Sequence, residues 1–185
     1  MNQALKKTLR ARLKEHSKQI SASEKKQQSD LIARQLQSLL ANATGTWGGF
    51  IPLAEEPDVF PLPGDLPIQW AYPRMDGQTL KFYASAERET GPYNVQEPRA
   101  EDFKSRDDIQ GFIVPGLGYD RQGHRLGRGA GFYDRYLQGY SGPAIGVCFD
   151  FQLVPSSDWA EVHDFQVHKV VTPSQVIACK EHSWK

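Results

Sequence analysis

The sequence predicts an α/β protein: a three-layer α/β/α, Rossmann-like single domain over residues 1–185 with a mostly parallel central sheet. Three observations predict it. Two amphipathic helical segments open the chain, short apolar runs follow, and a glycine-rich junction leads from one of those runs into a short helix. At 185 residues the chain is long enough for one domain with a real core.

In the first helix Leu5, Leu9 and Leu13 recur every fourth residue, so one apolar stripe packs and a basic face is left free. Ser21 and Glu24 make a capping-box pattern that opens the second helix. Its buried face is expected to be Leu31, Ile32, Leu36, Leu39 and Leu40, ending near Asn42. The runs "TWGGFI", "IQWAY", "LKFYAS", "QGFIVP", "AIGVCF" and "KVVT" read as strands, several of them apolar at successive positions, as in strands covered on both faces. The proline-rich stretch 52–67 cannot be a continuous helix. Residues 84–108 read as an exposed link with at most short elements. Long irregular segments in a compact domain are candidate ligand walls.

Lysine plus arginine equals aspartate plus glutamate, 22 each, so no global field draws the chain to nucleic acid or anionic lipid. Any basic site must be local. Cys148 and Cys179 lack the spacing of a zinc or redox motif and suit reduced thiols. No apolar run approaches the roughly 20 residues that span a bilayer. The basic N-terminus has no apolar core of a secretory signal. The expectation is a monomeric cytoplasmic protein with neither nucleic acid nor membrane as partner.

The stretch "PGLGYDRQGHRLGRGAGFYDRYL", residues 115–137, holds six glycines and four arginines. Glycines at 127, 129 and 131 bring backbone N–H groups close to an anion, and the helix start adds its positive dipole end. Arg125 and Arg128 add bidentate donors. Neither common phosphate-loop spacing is present, so a nucleotide site and a tight turn with surface arginines both fit these residues alone.

The order of residues in this stretch closely resembles the signature PGxGxDxxGxRLGxGxGYYDxYL of the 5-formyltetrahydrofolate cyclo-ligase family, with His124 between Gly123 and Arg125 and Phe132 at the first aromatic. Further matches are Lys6 and Arg10 in "KKTLR", the acidic pair in "FIPLAEEPD", and Asp164 before a late strand. The resemblance implies an ATP- and magnesium-dependent conversion of 5-formyltetrahydrofolate, polyglutamylated or not, to 5,10-methenyltetrahydrofolate. It places ATP against Lys6, Lys7, Thr8, Leu9 and Arg10, against Arg125, Leu126, Gly127, Arg128, Gly129, Ala130, Gly131, Phe132 and Tyr133, and against Asp164. Arg128, Lys6 and Arg125 are the implied catalytic cations, and Asp134 and Asp164 the implied magnesium carboxylates.

The same resemblance gives the folate to Ile51, Leu53, Glu56 and Tyr93, with residues 128–132 shared between both substrates. Each assignment has a plainer counterpart. Lys6 and Arg10, one turn apart, suit phosphate or a solvated face. Asp134 suits a metal or a first-turn acid, and Glu56 a pterin or a loop. Phe132, Tyr133 and Tyr93 suit ring stacking or the core. Where some relatives carry an acid after Asp164 this chain has His168. His163 and His168 are expected to face solvent rather than bind metal.

Overall fold

The computed structural model describes residues 2–161 and 164–179. Helix α1 (Asn2–Gln19) and helix α2 (Ala22–Leu39) form as the sequence predicts, the break between them set by Ser21, whose Oγ accepts the Glu24 N–H at 3.2 Å. Two leucines depart from expectation. Leu5 is 38% exposed and Leu31 46% exposed. Leu9 and Leu13 find Leu126, Val154 and Trp159 beneath them, and the apolar patch does not reach back to Leu5. In α2 the buried stripe runs through Ser29, Ile32, Ala33 and Leu36, which turns Leu31 about 100° away from Ile32.

The main sheet has eight strands: β1 (Gly45–Gly48), β2 (Ile68–Asp76), β3 (Thr79–Tyr83), β4 (Phe103–Lys104), β5 (Ile109–Pro115), β6 (Ala144–Val147), β7 (Lys169–Val171) and β8 (Val176–Ala178). Their order is β8-β7-β6-β5-β1-β2-β3-β4. The five central strands are parallel and the outer pairings antiparallel. Side chains alternate across a strand, so Ile113 of β5 packs under Ile32, Leu36 and Leu40 of α2. Its neighbours Phe112 and Val114 face the opposite layer, built around helix α3 (Phe132–Tyr136).

That second layer has only a five-residue helix. A small sheet of Gly118–Asp120, Arg125–Leu126 and Leu153–Val154 completes it, and α1 packs on Leu126 and Val154 of that sheet. Residues 84–108 carry a ribbon of Arg88–Thr90 and Gln96–Pro98, tied to β2 by the Arg74–Glu89 ion pair and by Arg88 stacking 4.1 Å from the Tyr72 ring centroid.

His168 is a correction. It is buried, and its Nδ1 accepts the Ala144 N–H at 3.2 Å, because the chain docks beside β6 before β7 begins. His163 lies outside the described residues. Cys148 is buried and Cys179 half-buried, and neither is in a disulfide. Burial pushes the Cys148 thiol far up. Among the described residues no helix is long and apolar enough to cross a membrane. Because β1 and β5 are adjacent and parallel, the segments after them, 49–56 and 116–131, leave the same edge of the sheet, where open α/β sheets bind ligands.

Candidate active site

Beyond that edge lies a cavity of about 290 Å³ walled by α1, the glycine-rich loop, Asp134 and the segment around Asp164. The sequence reading left the basic face of α1 free, and here the structure corrects it. Lys6 is 5% exposed. Its ammonium donates to Glu161 Oε2 at 2.7 Å and to the Asp164 oxygens at 2.9 and 2.7 Å. Burial works against the charge, but the two carboxylates outweigh it and hold the Lys6 pKa above its ordinary value. One turn on, Arg10 Nε donates to the Gly127 carbonyl at 2.8 Å. Lys7 and Thr8 are exposed, Leu9 is core, and none of the three lines the cavity.

Arg125 is buried, with Nη1 on the Pro115 carbonyl at 3.3 Å and Nη2 on Asp134 Oδ2 at 3.0 Å. Gly127 rests on this guanidinium: a Cβ there would stand 2.7 Å from Arg125 Nη2 and would push the guanidinium off its partners. Gly131 begins α3 with φ +71, the left-handed region that favours glycine. No N–H of residues 127–131 donates to another described residue, so the loop presents free donors. A one-turn helix carries little dipole. The α3 terminus is therefore a weaker anion-binding feature than the sequence suggests, and the charged groups of the wall are Lys6 and Arg10 beside the loop amides.

Arg128 points the other way. Its Nη2 donates to Glu55 Oε2 at 2.5 Å and its Nε approaches Glu56 Oε1 at 3.4 Å. Glu56 is fixed by its own turn, Oε2 accepting the Leu53 N–H at 3.0 Å, while Gln152 Nε2 holds the Glu55 carbonyl at 2.8 Å. Burial pushes the Glu56 carboxyl up, and Arg128 offsets this only in part. For the more open Glu55 the Arg128 contact outweighs burial and lowers the pKa. Ile51 and Leu53 are half-buried beside this turn.

Phe132 and Tyr133 pack into the core cluster under α3, Arg135 lying 5.5 Å from the Phe132 ring centroid. Tyr93 is set apart, 84% exposed at the tip of the 88–98 ribbon and outside the cavity wall. Glu161 was not singled out in the sequence, where it is one acid among many in a loop, and Glu55 figured only as half of the acidic pair, with no role of its own.

A magnesium ion is implied by the resemblance, and the residues present fit one. Asp134 Oδ1 is buried without a hydrogen-bond partner while Oδ2 holds Arg125, leaving one unpartnered carboxylate oxygen on a residue of the cavity wall. Both Asp164 oxygens are taken by Lys6, and Oδ2 also accepts the Glu161 N–H at 2.8 Å. No group of three or more His, Cys, Asp or Glu among the described residues could hold a metal alone. Magnesium commonly takes one or two carboxylates and fills its shell from phosphate oxygens and water.

Fold and cleft together define an α/β protein whose cleft, walled by paired cations and carboxylates, opens beside an acidic turn. The 5-formyltetrahydrofolate cyclo-ligase family model matches residues 2–173, and the chain belongs to that family. The 5-formyltetrahydrofolate cyclo-ligase of Escherichia coli K12 is 33% identical over 105 residues, 52% of this chain and 56% of that protein. That of Mycolicibacterium smegmatis is 40% identical over 114 residues, 60% and 54% of the two. The matched stretch thus spans about half the length of these curated relatives. The solved 5,10-methenyltetrahydrofolate synthetase of Aquifex aeolicus superposes with a TM-score of 0.83 at 26% identity, covering 98% of this chain and 96% of that one.

Proposed function

We propose that the chain converts 5-formyltetrahydrofolate and ATP to 5,10-methenyltetrahydrofolate, ADP and phosphate, with magnesium. The observation that carries this reading is the reach of Arg128 from the phosphate-type loop to the acidic turn, which brings the two subsites within one side chain of each other. A formamide carbonyl is a poor electrophile and its oxygen a poor leaving group. Transfer of the γ-phosphoryl group to that oxygen cures both, after which N10 attacks the formyl carbon and phosphate departs. The protein positions the reactants and stabilises charge.

Lys6, Arg10 and the amides of residues 127–131 hold the ATP phosphates. Glu56 accepts two N–H groups of the pterin, which lies against Ile51 and Leu53. Arg125, buried under the loop, sets the position of Asp134. The cavity wall carries the cations Lys6, Arg10, Arg125 and Arg135 against the carboxylates Asp134, Glu161 and Asp164. So nearly balanced a wall does not attract a triphosphate by net charge, which is why a divalent cation held by Asp134 and by Asp164, the latter in exchange for Lys6, belongs to the reading; it would neutralise phosphate charge during transfer. The reading carries with it a monomeric cytoplasmic enzyme of small molecules, the folate with a single or an extended glutamate tail.

Mixing the protein with ATP, magnesium and 5-formyltetrahydrofolate should produce the near-ultraviolet band of the methenyl product, and omission of any component should abolish it. Binding of both substrates without that band would make the chain a binding protein instead.

Three further results are expected. Arg10→Ala should raise the KM for ATP about tenfold, the effect of one charged hydrogen bond, and leave the folate KM unchanged. Lys6→Ala should do the same and also lower Tm, because Asp164 and Glu161 lose their cation. Normal ATP binding with collapsed folate binding in calorimetry would put α1 in the other subsite. Glu56→Gln should weaken folate by about 1.5–3 kcal/mol with ATP unaffected.

The raised Glu56 pKa also sets a pH dependence. Such a carboxyl contributes fully below its unfolded pKa, where it is neutral in both states, and costs stability as pH rises through the folded pKa. Glu56→Gln should therefore melt above the parent at about pH 8, and the gap should close towards about pH 4. Equal melting temperatures at both pH values would show that burial of this carboxyl costs nothing.

A further inference from the structure

We propose that Glu161 is a positioning residue that keeps Lys6 aimed into the cleft when Asp164 changes partner; this rests on the reading of the cleft given above. Lys6 is shared between two carboxylates that differ in setting: the Asp164 side chain is 9% exposed and the Glu161 side chain 21%. Asp164 gives Lys6 both of its oxygens, so any cation that engages Asp164 competes directly with Lys6. Glu161 gives Lys6 one oxygen, Oε2, at 2.7 Å. A flexible lysine stem left with no carboxylate would be free to follow Asp164 or swing to water. With Glu161 in place it stays in the wall.

Glu161 is itself held from several directions. Gln3 Nε2 donates to the same Oε2 at 3.3 Å, Asn2 Nδ2 donates to the neighbouring Ala160 carbonyl at 3.1 Å, and the Glu161 N–H donates to Asp164 Oδ2 at 2.8 Å. The residue therefore references both Lys6 and Asp164 to the first turn of α1. Three carboxylates in one wall are otherwise hard to explain. Asp134 presents a free oxygen and Asp164 shields a cation, whereas Glu161 duplicates Asp164 unless the two separate during the cycle. This assignment makes Glu161 part of ATP recognition without direct contact to substrate.

The test is calorimetry of a non-hydrolysable ATP analogue on the intact chain, with magnesium and with a chelator. In Glu161→Gln the analogue should bind about tenfold more weakly with magnesium, the loss of one charge-assisted hydrogen bond, and within about twofold of the parent with chelator, where Asp164 still holds Lys6. In a Lys6→Gln background the same substitution should change binding less than about twofold. Glu161→Asp, which keeps the charge on a shorter arm, should recover part of the loss. A merely structural role would weaken binding equally with and without magnesium, or add fully to Lys6→Gln, and either result overturns the inference. If Lys6→Gln alone leaves analogue binding intact, the phosphate assignment of α1 has failed and the role of Glu161 falls with it.

Discussion

Arg128→Ala is expected to lower kcat by about 10²- to 10³-fold, the cost of removing one transition-state donor, with the KM for ATP changed by less than about threefold. Arg128 is 31% exposed at its side chain and, among the described residues, is held by the acidic turn, at 2.5 Å from Glu55 and a long 3.4 Å from Glu56. Ground-state ATP binding should largely survive its loss. In the proposed reaction the γ-phosphoryl group would move toward the formyl oxygen and spread charge over oxygens between the two subsites, where a guanidinium tethered to the acidic turn would meet it.

The substitution has a second consequence. Without Arg128 the buried Glu56 carboxyl loses the cation that partly offsets burial, so its pKa rises further. Folate KM should then rise more steeply as the pH falls than in the parent. Arg128→Lys should not restore turnover, because a point charge cannot serve a carboxylate and a phosphoryl oxygen together as a planar fork does. An Arg128→Ala enzyme with full kcat, or one whose only defect is ATP affinity, would remove this arginine from the transfer step.

The parts of the molecule that were legible in the sequence are those set by local chemistry. The run 110–115 announces a strand buried on both faces because its successive apolar residues face opposite layers. Ser21 announces a helix start because its hydroxyl can replace a missing backbone partner. The glycines at 127 and 131 stand where a side chain would collide or the backbone turns left-handed. What escaped is set by distant partners. Periodicity identified the apolar side of α1 but not where Trp159 and Val154 stop, so Leu5 was expected inside.

The charge of Lys6 was legible and its burial was not, because its partner Glu161 lies 155 residues away and leaves no local pattern. His168 looked like a strand residue open to water. Its burial depends on the docking of its segment against Ala144, 24 residues earlier. The short α3 was read as an anion-binding terminus, yet five residues cannot align enough peptide dipoles to serve as one. Its contribution to the site is Asp134.

Asp134→Asn is expected to raise the magnesium concentration for half-maximal rate about tenfold, a neutral ligand replacing a charged one, and to leave a deficit that excess magnesium does not remove. The residual deficit follows from the two jobs of one carboxylate. Asp134 Oδ2 accepts from the buried Arg125 at 3.0 Å, and Oδ1 remains free for a cation. A carboxylate accepts on both sides, whereas an amide accepts on one and donates on the other. If the oxygen of the substituted amide faces Arg125, its NH₂ opposes the cation. If it faces the cation, the NH₂ opposes a guanidinium that is only 7% exposed and has its Nε already unpartnered. Either choice loosens the floor beneath Gly127, so Tm should fall together with the maximal rate. Arg128→Ala, remote from this pair, should show an unchanged magnesium dependence. A magnesium curve for Asp134→Asn that matches the parent's while Tm drops would leave Asp134 as the anchor of Arg125 alone, and the ion would then have to be held elsewhere.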